Sequence, residues 1–195
     1  MNQKTFNFPL TLTITRLVIA PVLLPFLIVY LLPANELAYN LFVAGVFMLF
    51  GATDFFDGYL ARRYKQETAL GKLLDPIADK FCMFSTFIAL VAIHKLYFYW
   101  AIIFIGREFF VMGLREIALI HNFSVPVMST GKIKTAVQMI YIAFVIANPY
   151  HGLLCVAPWI NGLESIVLAV ALFYTVYSAV TYYRVFMRQY LVRMR

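Results

Sequence analysis

Four aspartates lie close together where two apolar segments of the chain meet, at positions 54, 57, 75 and 79. Asp54 and Asp57 are spaced i, i+3, and Asp75 and Asp79 are spaced i, i+4, so each pair occupies one face of a helix. The turn between the pairs is short, which makes the two helices antiparallel neighbours and allows the four carboxylates to converge. Carboxylates so close together need a counter-charge to ionise. Hard oxygen ligands without nearby histidine or cysteine favour Mg²⁺, Mn²⁺ or Ca²⁺, and two such ions can clamp phosphoryl oxygens.

Small residues and one arginine accompany the aspartates. Gly58 follows Asp57 directly, and Ala61 lies on the same helix face as the first two aspartates. Together they leave room for a flat or bulky ligand against the helix backbone. Gly71 opens the third apolar segment, where its lack of a side chain permits close approach. Arg62 can reach a phosphate with two parallel hydrogen bonds. The stretch therefore suits a metal-bound phosphate compound.

A purely structural role competes with this interpretation, in which the aspartates only pair with Arg62, Arg63 or Lys80. Composition bears on the choice. The 195 residues are 63% hydrophobic and 13% charged, whereas a soluble domain carries about a quarter charged residues. Ionisable groups buried in a membrane are costly and usually functional, and four acids on two matched faces favour a functional site.

Six apolar segments are each long enough to cross about 30 Å of hydrocarbon. They cover residues 10–32, 38–64, 72–93, 97–121, 131–149 and 160–187. Cations concentrate near the N-terminus, in the 62–72 turn, in the 121–135 loop and in the C-terminal tail, while the loops of the opposite side contain only Lys95. This bias explains the net charge of +7 better than nucleic-acid binding does, and it places both termini in the cytoplasm. We predict an all-α polytopic membrane protein with six transmembrane helices, forming a single domain over residues 1–195.

The spacing of the aspartate stretch resembles the signature of the CDP-alcohol phosphotransferase family. The matching residues are Asp54, Asp57, Gly58, Ala61, Arg62, Gly71, Asp75 and Asp79. The resemblance implies a six-helix membrane fold that is usually dimeric, two divalent ions, and displacement of CMP from a CDP-linked substrate by an alcohol. It also implies that the first three aspartates bind metal, and that Asp79 is the general base and also a ligand of the second ion. We expect the CDP group to contact Asp57, Gly58, Ala61, Arg62 and Gly71.

Two later stretches can hold an anionic acceptor. Arg107 and Glu108 lie in the middle of an apolar segment, and Arg115 falls nearly on the face of Glu108. Lys132 and Lys134 begin the fifth segment, and the N-terminus of a helix favours anions. We predict that the two arginines and the two lysines bind the acceptor's phosphate. The alternatives are a structural Arg–Glu network within the helix bundle, and lysines that contact lipid head groups.

Both stretches resemble the bacterial phosphatidylglycerophosphate synthase branch of that family, although Leu10 stands where that branch commonly has asparagine. The resemblance implies that CDP-diacylglycerol and sn-glycerol 3-phosphate give phosphatidylglycerophosphate and CMP, with Mg²⁺ or Mn²⁺ as cofactor. It also implies a homodimer in the inner (cytoplasmic) membrane, with its active site facing the cytoplasm and no nucleic-acid partner. One alternative is a sibling enzyme that uses inositol phosphate, serine or phosphatidylglycerol. A second is a divalent-cation transporter whose path is lined by the carboxylates.

Overall fold

A computed structural model describes the backbone of residues 8–64, 69–126, 128–151 and 158–193, and their side chains except for 8–17, 53–64, 69–76, 78 and 79. Over these ranges the chain is helical and contains no strand. The helices are α1 (Phe8–Leu31), α2 (Leu37–Tyr64), α3 (Ala69–Ala92), α4 (Phe98–Ile120), α5 (Ser129–Ala147) and α6 (Pro158–Arg193), with a 3-10 turn at Leu32–Ala34. The prediction of an all-α fold with six helices is confirmed, and α6 continues beyond its predicted end.

Apolar surface covers the helices. Large exposed side chains occur on each of them, for example Val22, Leu49, Ile88, Ile102, Ile140 and Phe173. So many large apolar side chains exposed on the helices are unusual for a soluble monomer and suit contact with lipid. Among the described residues α5 and α6 are long and apolar enough to cross a membrane. The four ionised residues of α4 exclude it from that group. Six spans and cytoplasmic termini remain predictions.

The chain divides into two compact units. The first unit comprises Met1–Lys95 with Ile146–Pro149, and the second unit comprises Leu96–Val145 with Tyr150–Arg195. In the first unit α1 packs against α3 and against α2. The packing face of α1 presents a buried side chain at every fourth position, namely Ala20, Leu24 and Ile28, and Leu32 of the 3-10 turn continues the series. This i, i+4 spacing keeps one face of the helix against its neighbours.

In the second unit α4 packs against α6. The buried face of α4 is apolar and consists of Ala101, Phe104, Val111, Leu114 and Ala118. The buried face of α6 is largely polar and consists of Asn161, Glu164, Ala171, Thr175, Ser178, Tyr182 and Phe186. Buried polar groups are costly unless they find partners, so this face of α6 marks the part of the second unit where polar contacts must form.

A left-handed turn ends α4 and directs the chain towards α6. Asn122 has φ 57°, and the N–H of Phe123 donates to the carbonyl of Ala118 at 3.0 Å. Such a turn satisfies carbonyl groups that a helix end leaves without partners. Phe123 then packs in one buried cluster with Phe186 and Tyr182 of α6. The connection between α4 and α5 is thereby held beside the polar face of α6.

Candidate functional site

Arg107 of α4 is fixed by hydrogen bonds on two sides, and only 8% of its side chain is exposed. Its Nε and Nη2 both donate to Ser178 Oγ, at 2.9 and 2.7 Å, and its Nη1 donates to Glu108 Oε1 at 3.1 Å. Lys134 of α5, whose side chain is 3% exposed, donates to the same Glu108 oxygen. One carboxylate thus lies between two buried cations that come from different helices.

Tyr182 of α6 contacts the guanidinium groups of both Arg107 and Arg115. The guanidinium carbons of Arg107 and Arg115 lie 5.4 and 5.2 Å from the centroid of the Tyr182 ring, which is cation–π range. Arg115 Nη2 donates to Tyr182 Oη at 3.1 Å, and the backbone N–H of Met128 donates to the same oxygen at 3.0 Å. Tyr182 therefore fixes both arginines and the chain just before α5.

The first turn of α5 comes close to this arrangement because residue 131 is glycine. A Cβ at Gly131 would lie 3.1 Å from Tyr182 Oη and 3.7 Å from Arg107 Nη2. The first of these distances is tighter than an ordinary van der Waals contact. A side chain at this position would push against the tyrosine that holds both arginines, so the glycine permits α5 to approach α4 and α6.

We call Arg107, Glu108, Arg115, Lys134, Ser178 and Tyr182 the cationic cluster. Counted over these six residues alone, three cations and one carboxylate leave two surplus positive charges. Three buried polar atoms in or next to it have no hydrogen-bond partner within the described part of the chain, namely Arg115 Nε, Thr130 Oγ1 and Gln138 Oε1. A buried polar group without a partner costs about 1–3 kcal/mol. A ligand with two negative charges and several polar atoms would relieve both the charge surplus and the unmade hydrogen bonds.

The structure brings three of the four predicted acceptor-binding residues together. Arg107, Arg115 and Lys134 belong to the cationic cluster, whereas Lys132 is exposed and does not join it. Lys132 and Lys134 are two residues apart on α5, so they point to different faces of the helix. The Arg–Glu network that we considered as a structural alternative is also present, since Glu108 accepts from Arg107. Glu108 is the one carboxylate of the cluster, set against its three cations.

From the sequence alone, no role was assigned to Ser178, Tyr182 or Gln138. The available signal for the first two was helical spacing. Thr175, Ser178 and Tyr182 recur every three or four residues along α6, and all three are buried. Polar residues that share one face of a long apolar helix indicate a buried polar site.

For the four aspartates the structure describes the backbone and not the side chains. Asp54 and Asp57 lie in α2, and Asp75 and Asp79 lie in α3, so both pairs belong to the first unit. Their side chains lie outside the described ones, as do those of Ala61 and Arg62; the glycines Gly58 and Gly71 are in the same two stretches. Among the described side chains, which do not include those of the four aspartates, no three or more His, Cys, Asp or Glu form a group that could hold a metal ion. Their metal-binding role therefore stays a prediction.

Removal of the Tyr182 hydroxyl is expected to lower the stability of the protein. Tyr182→Phe keeps the ring but leaves the Met128 N–H and one Arg115 N–H without their acceptor. The free energy of unfolding should therefore fall by about 1–3 kcal/mol. Thermal unfolding of the purified protein in detergent measures this. Tyr183→Phe makes the same change at an exposed neighbour and should leave the midpoint unchanged. Equal midpoints for the two variants would show that the hydrogen bonds of Tyr182 contribute nothing.

Fold and sequence together define the class of this protein. The model of the CDP-alcohol phosphatidyltransferase family matches residues 6–189, and the chain belongs to that family. The aspartates of α2 and α3 and the cationic cluster all fall within the matched range. The family and the two apolar helices indicate a membrane protein.

Individual relatives carry a more specific name. A protein of Rickettsia typhi is 35% identical over 179 residues, which cover 91% of this chain and 96% of that protein. A protein of Escherichia coli strain K12 is 37% identical over 152 residues, which cover 74% of this chain and 79% of that protein. Both are named CDP-diacylglycerol–glycerol-3-phosphate 3-phosphatidyltransferase, as is a protein of Rickettsia prowazekii that is 35% identical over 179 residues. These names describe transferases that move a phosphatidyl group from CDP-diacylglycerol to glycerol 3-phosphate.

Proposed function

We propose that this chain transfers the phosphatidyl group of CDP-diacylglycerol to sn-glycerol 3-phosphate, giving phosphatidylglycerophosphate and CMP. The observation that carries the choice of acceptor is the cationic cluster, whose two surplus positive charges match a phosphate monoester dianion. Membership of the family supports the CDP-linked donor. The names of the relatives support the same pair of substrates.

The chemistry at the donor follows from the four aspartates. Asp54, Asp57 and Asp75 supply hard oxygen ligands that suit Mg²⁺ or Mn²⁺, with Asp79 contributing to a second ion. Bound divalent ions would neutralise the diphosphate and so make CMP a better leaving group. Asp79 accepts the proton of the acceptor hydroxyl as that oxygen bonds to the β-phosphorus. The bond between the β-phosphorus and the bridging oxygen breaks, and the electron pair leaves with CMP.

The remaining signature residues hold the CDP group. Gly58, Ala61 and Gly71 have little or no side chain and leave the helix backbones of α2 and α3 open to a nucleotide. Asp57 lies next to Gly58 and can contribute to the same contact. Arg62 can bind a phosphate oxygen pair through its planar fork. In phosphoryl transfer such positioning and charge stabilisation account for most of the catalysis.

The acceptor is held by the cationic cluster. Arg115 uses one N–H on Tyr182 and has a buried Nε without a partner in the described part of the chain, so it has donors left for a phosphate. Arg107 and Lys134 add charge while their positions are fixed by Ser178 and Glu108. Serine is zwitterionic and would not use two surplus positive charges. Inositol phosphate matches the charge and needs more hydroxyl partners.

The location of the substrates suggests where the protein works. CDP-diacylglycerol has acyl chains in the bilayer and a polar head in water, so the reaction takes place at a membrane surface. We place the protein in the inner (cytoplasmic) membrane, multi-pass and with its active site facing the cytoplasm, where both CDP-linked lipid and glycerol 3-phosphate are accessible. The 36 residues of α6 extend about 54 Å, which exceeds the hydrocarbon core and carries one end of this helix into the head-group region. A homodimer is part of the proposal and rests on the family resemblance.

An acceptor panel tests the proposed function. Purified protein receives CDP-diacylglycerol, Mg²⁺ or Mn²⁺, and one alcohol from the set of glycerol 3-phosphate, inositol phosphate, serine and phosphatidylglycerol, and CMP release is measured. We expect release with glycerol 3-phosphate and none without a divalent ion. Preference for another alcohol would assign the chain to a sibling enzyme. Metal flux into liposomes with no CMP formed would favour the transporter alternative.

The two lysines at the start of α5 give a matched pair of variants. Lys134→Met removes a buried cation of the cluster, and Lys132→Met makes the same change at an exposed position. We expect the first to raise the KM for glycerol 3-phosphate about tenfold or more, because it removes a charge-assisted interaction of about 1.5–3 kcal/mol. The second should change this KM less than twofold. Steady-state kinetics on both variants decide the matter, and a larger effect at Lys132 would contradict the assignment.

A further inference from the structure

We infer that Gln138 determines acceptor specificity by binding the secondary hydroxyl of the acceptor, an inference that rests on the proposed function. Gln138 is 1% exposed in a predominantly apolar helix. Its Oε1 is buried and has no hydrogen-bond partner within the described part of the chain. An amide oxygen in that position costs stability in the absence of a ligand, so it indicates a polar group that the protein alone does not supply.

The position of Gln138 on α5 connects it to the cationic cluster. It is spaced i+4 from Lys134 and i+7 from Gly131, so the three residues share one face of the helix. Gly131 is the point at which α5 approaches Tyr182 and Arg107, and Lys134 donates to Glu108. The Gln138 amide therefore lies about one helical turn beyond the buried lysine of the cluster.

The chemistry of the unpartnered atoms specifies the ligand. Arg115 Nε is a donor and needs an acceptor, which a phosphate oxygen provides. Gln138 Oε1 only accepts, so an ionised phosphate oxygen, which also only accepts, cannot satisfy it. Its partner must be a donor, and an alcohol hydroxyl is the donor that accompanies a phosphate in a hydroxylated phosphate ester. Thr130 Oγ1 can donate or accept and fits either part of such a ligand.

In sn-glycerol 3-phosphate only one hydroxyl is available to donate a hydrogen bond to Gln138 Oε1. The C1 hydroxyl is the group that bonds to phosphorus in the proposed reaction, so it is not available to Gln138, and the phosphate is assigned to the cationic cluster. The C2 hydroxyl remains, and it is the group that we assign to Gln138 Oε1. The residue would thus be a specificity determinant that does not take part in bond formation.

The assignment is tested with an acceptor that differs by this hydroxyl alone. 3-Hydroxypropyl phosphate keeps the phosphate and the primary hydroxyl of glycerol 3-phosphate and lacks the one at C2. We expect the unmodified protein to prefer glycerol 3-phosphate about tenfold in kcat/KM, as the loss of one buried hydrogen bond predicts. In Gln138→Met the kcat/KM for glycerol 3-phosphate should fall about tenfold, and the kcat/KM for the analogue should change little. The variant should therefore no longer prefer glycerol 3-phosphate over the analogue.

Gln189→Met is the matched control. Gln189 of α6 also has a buried Oε1 without a partner in the described part of the chain, and it lines a separate open cleft of about 650 Å³ with Asn122 and Ser124. This variant should keep the preference of the unmodified protein. An equal loss with both acceptors in Gln138→Met would indicate a structural role and overturn the inference, as would an unchanged preference.

Thermal unfolding without substrates supplies a readout that does not depend on activity. Because the buried Oε1 of Gln138 makes no hydrogen bond within the described part of the chain, Gln138→Met should not lower the unfolding midpoint more than Gln189→Met, which removes an amide with the same kind of unpartnered oxygen. A midpoint clearly below that of Gln189→Met would contradict the claim that Gln138 Oε1 lacks a partner before the acceptor binds. If the unmodified protein releases no CMP with glycerol 3-phosphate, the proposed function fails and this inference fails with it. Turnover with glycerol 3-phosphate and no change in preference rejects only the role of Gln138.

Discussion

Replacing Asp79 with asparagine is expected to lower the rate of CMP release by about a thousandfold while the protein still folds. A positioned general base contributes about 10²–10⁴ to the rate, and the amide of asparagine cannot take the proton of the acceptor hydroxyl. Asparagine also gives up one anionic oxygen ligand for a metal ion. The measurement is kcat with saturating CDP-diacylglycerol and glycerol 3-phosphate, together with a thermal unfolding curve that checks folding.

A second carboxylate of the first unit provides the control for this experiment. Glu36 is exposed just before α2, and Glu36→Gln makes the same change from acid to amide. Its rate should equal that of the unmodified protein. Asp75→Asn should behave like Asp79→Asn, since Asp75 is proposed as a metal ligand. Full activity in either aspartate variant would remove that residue from the catalytic site.

Replacing Arg115 with methionine is expected to raise the KM for glycerol 3-phosphate about a hundredfold and to leave that for CDP-diacylglycerol nearly unchanged. Arg115 is the arginine of the cationic cluster with most donors left for a ligand, because only its Nη2 makes a hydrogen bond within the described part of the chain. Two charge-assisted hydrogen bonds to a phosphate, at about 1.5–3 kcal/mol each, account for an effect of this size. Initial rates with each substrate varied in turn separate the two KM values.

Arg188→Met serves as the comparison for this arginine. Arg188 lies on α6, is exposed, and lines the open cleft beside Asn122. The substitution removes the same charge from the same unit, so it corrects for any general effect of net charge on the binding of an anion. Its KM for glycerol 3-phosphate should remain within about twofold of the unmodified value. If both variants weaken acceptor binding equally, long-range charge and not the cationic cluster is responsible.

The helices were predictable because apolar residues run continuously through them and polar residues interrupt them. The six predicted segments correspond to the six observed helices. The end of α6 was placed too early because charged residues begin near Arg184, whereas the helix continues to Arg193. A helix that leaves the hydrocarbon can remain helical in water, and hydropathy reports only the part that is apolar.

The sequence predicted an anion-binding site, but it identified only some of the residues that form the cationic cluster. Buried charge in α4 and basic residues at the start of α5 indicated an anion site, and Arg107, Arg115 and Lys134 belong to the cluster. The sequence alone did not show which of Lys132 and Lys134 faces the cluster, because the rotation of a helix about its axis depends on its packing partners. Tyr182 lies 48 positions after Lys134 in the sequence numbering, and only the packing of α4, α5 and α6 brings them into one site.

The lipid product is the most direct test of the central claim. Purified protein is incubated with CDP-diacylglycerol, Mg²⁺ and glycerol 3-phosphate labelled with ¹⁸O at the C1 hydroxyl, and the products are analysed by mass spectrometry. We predict phosphatidylglycerophosphate and CMP in equal amounts, with the label retained in the lipid because the acceptor oxygen attacks the β-phosphorus. A lipid product without the label, or CMP release that does not depend on glycerol 3-phosphate, would contradict the account.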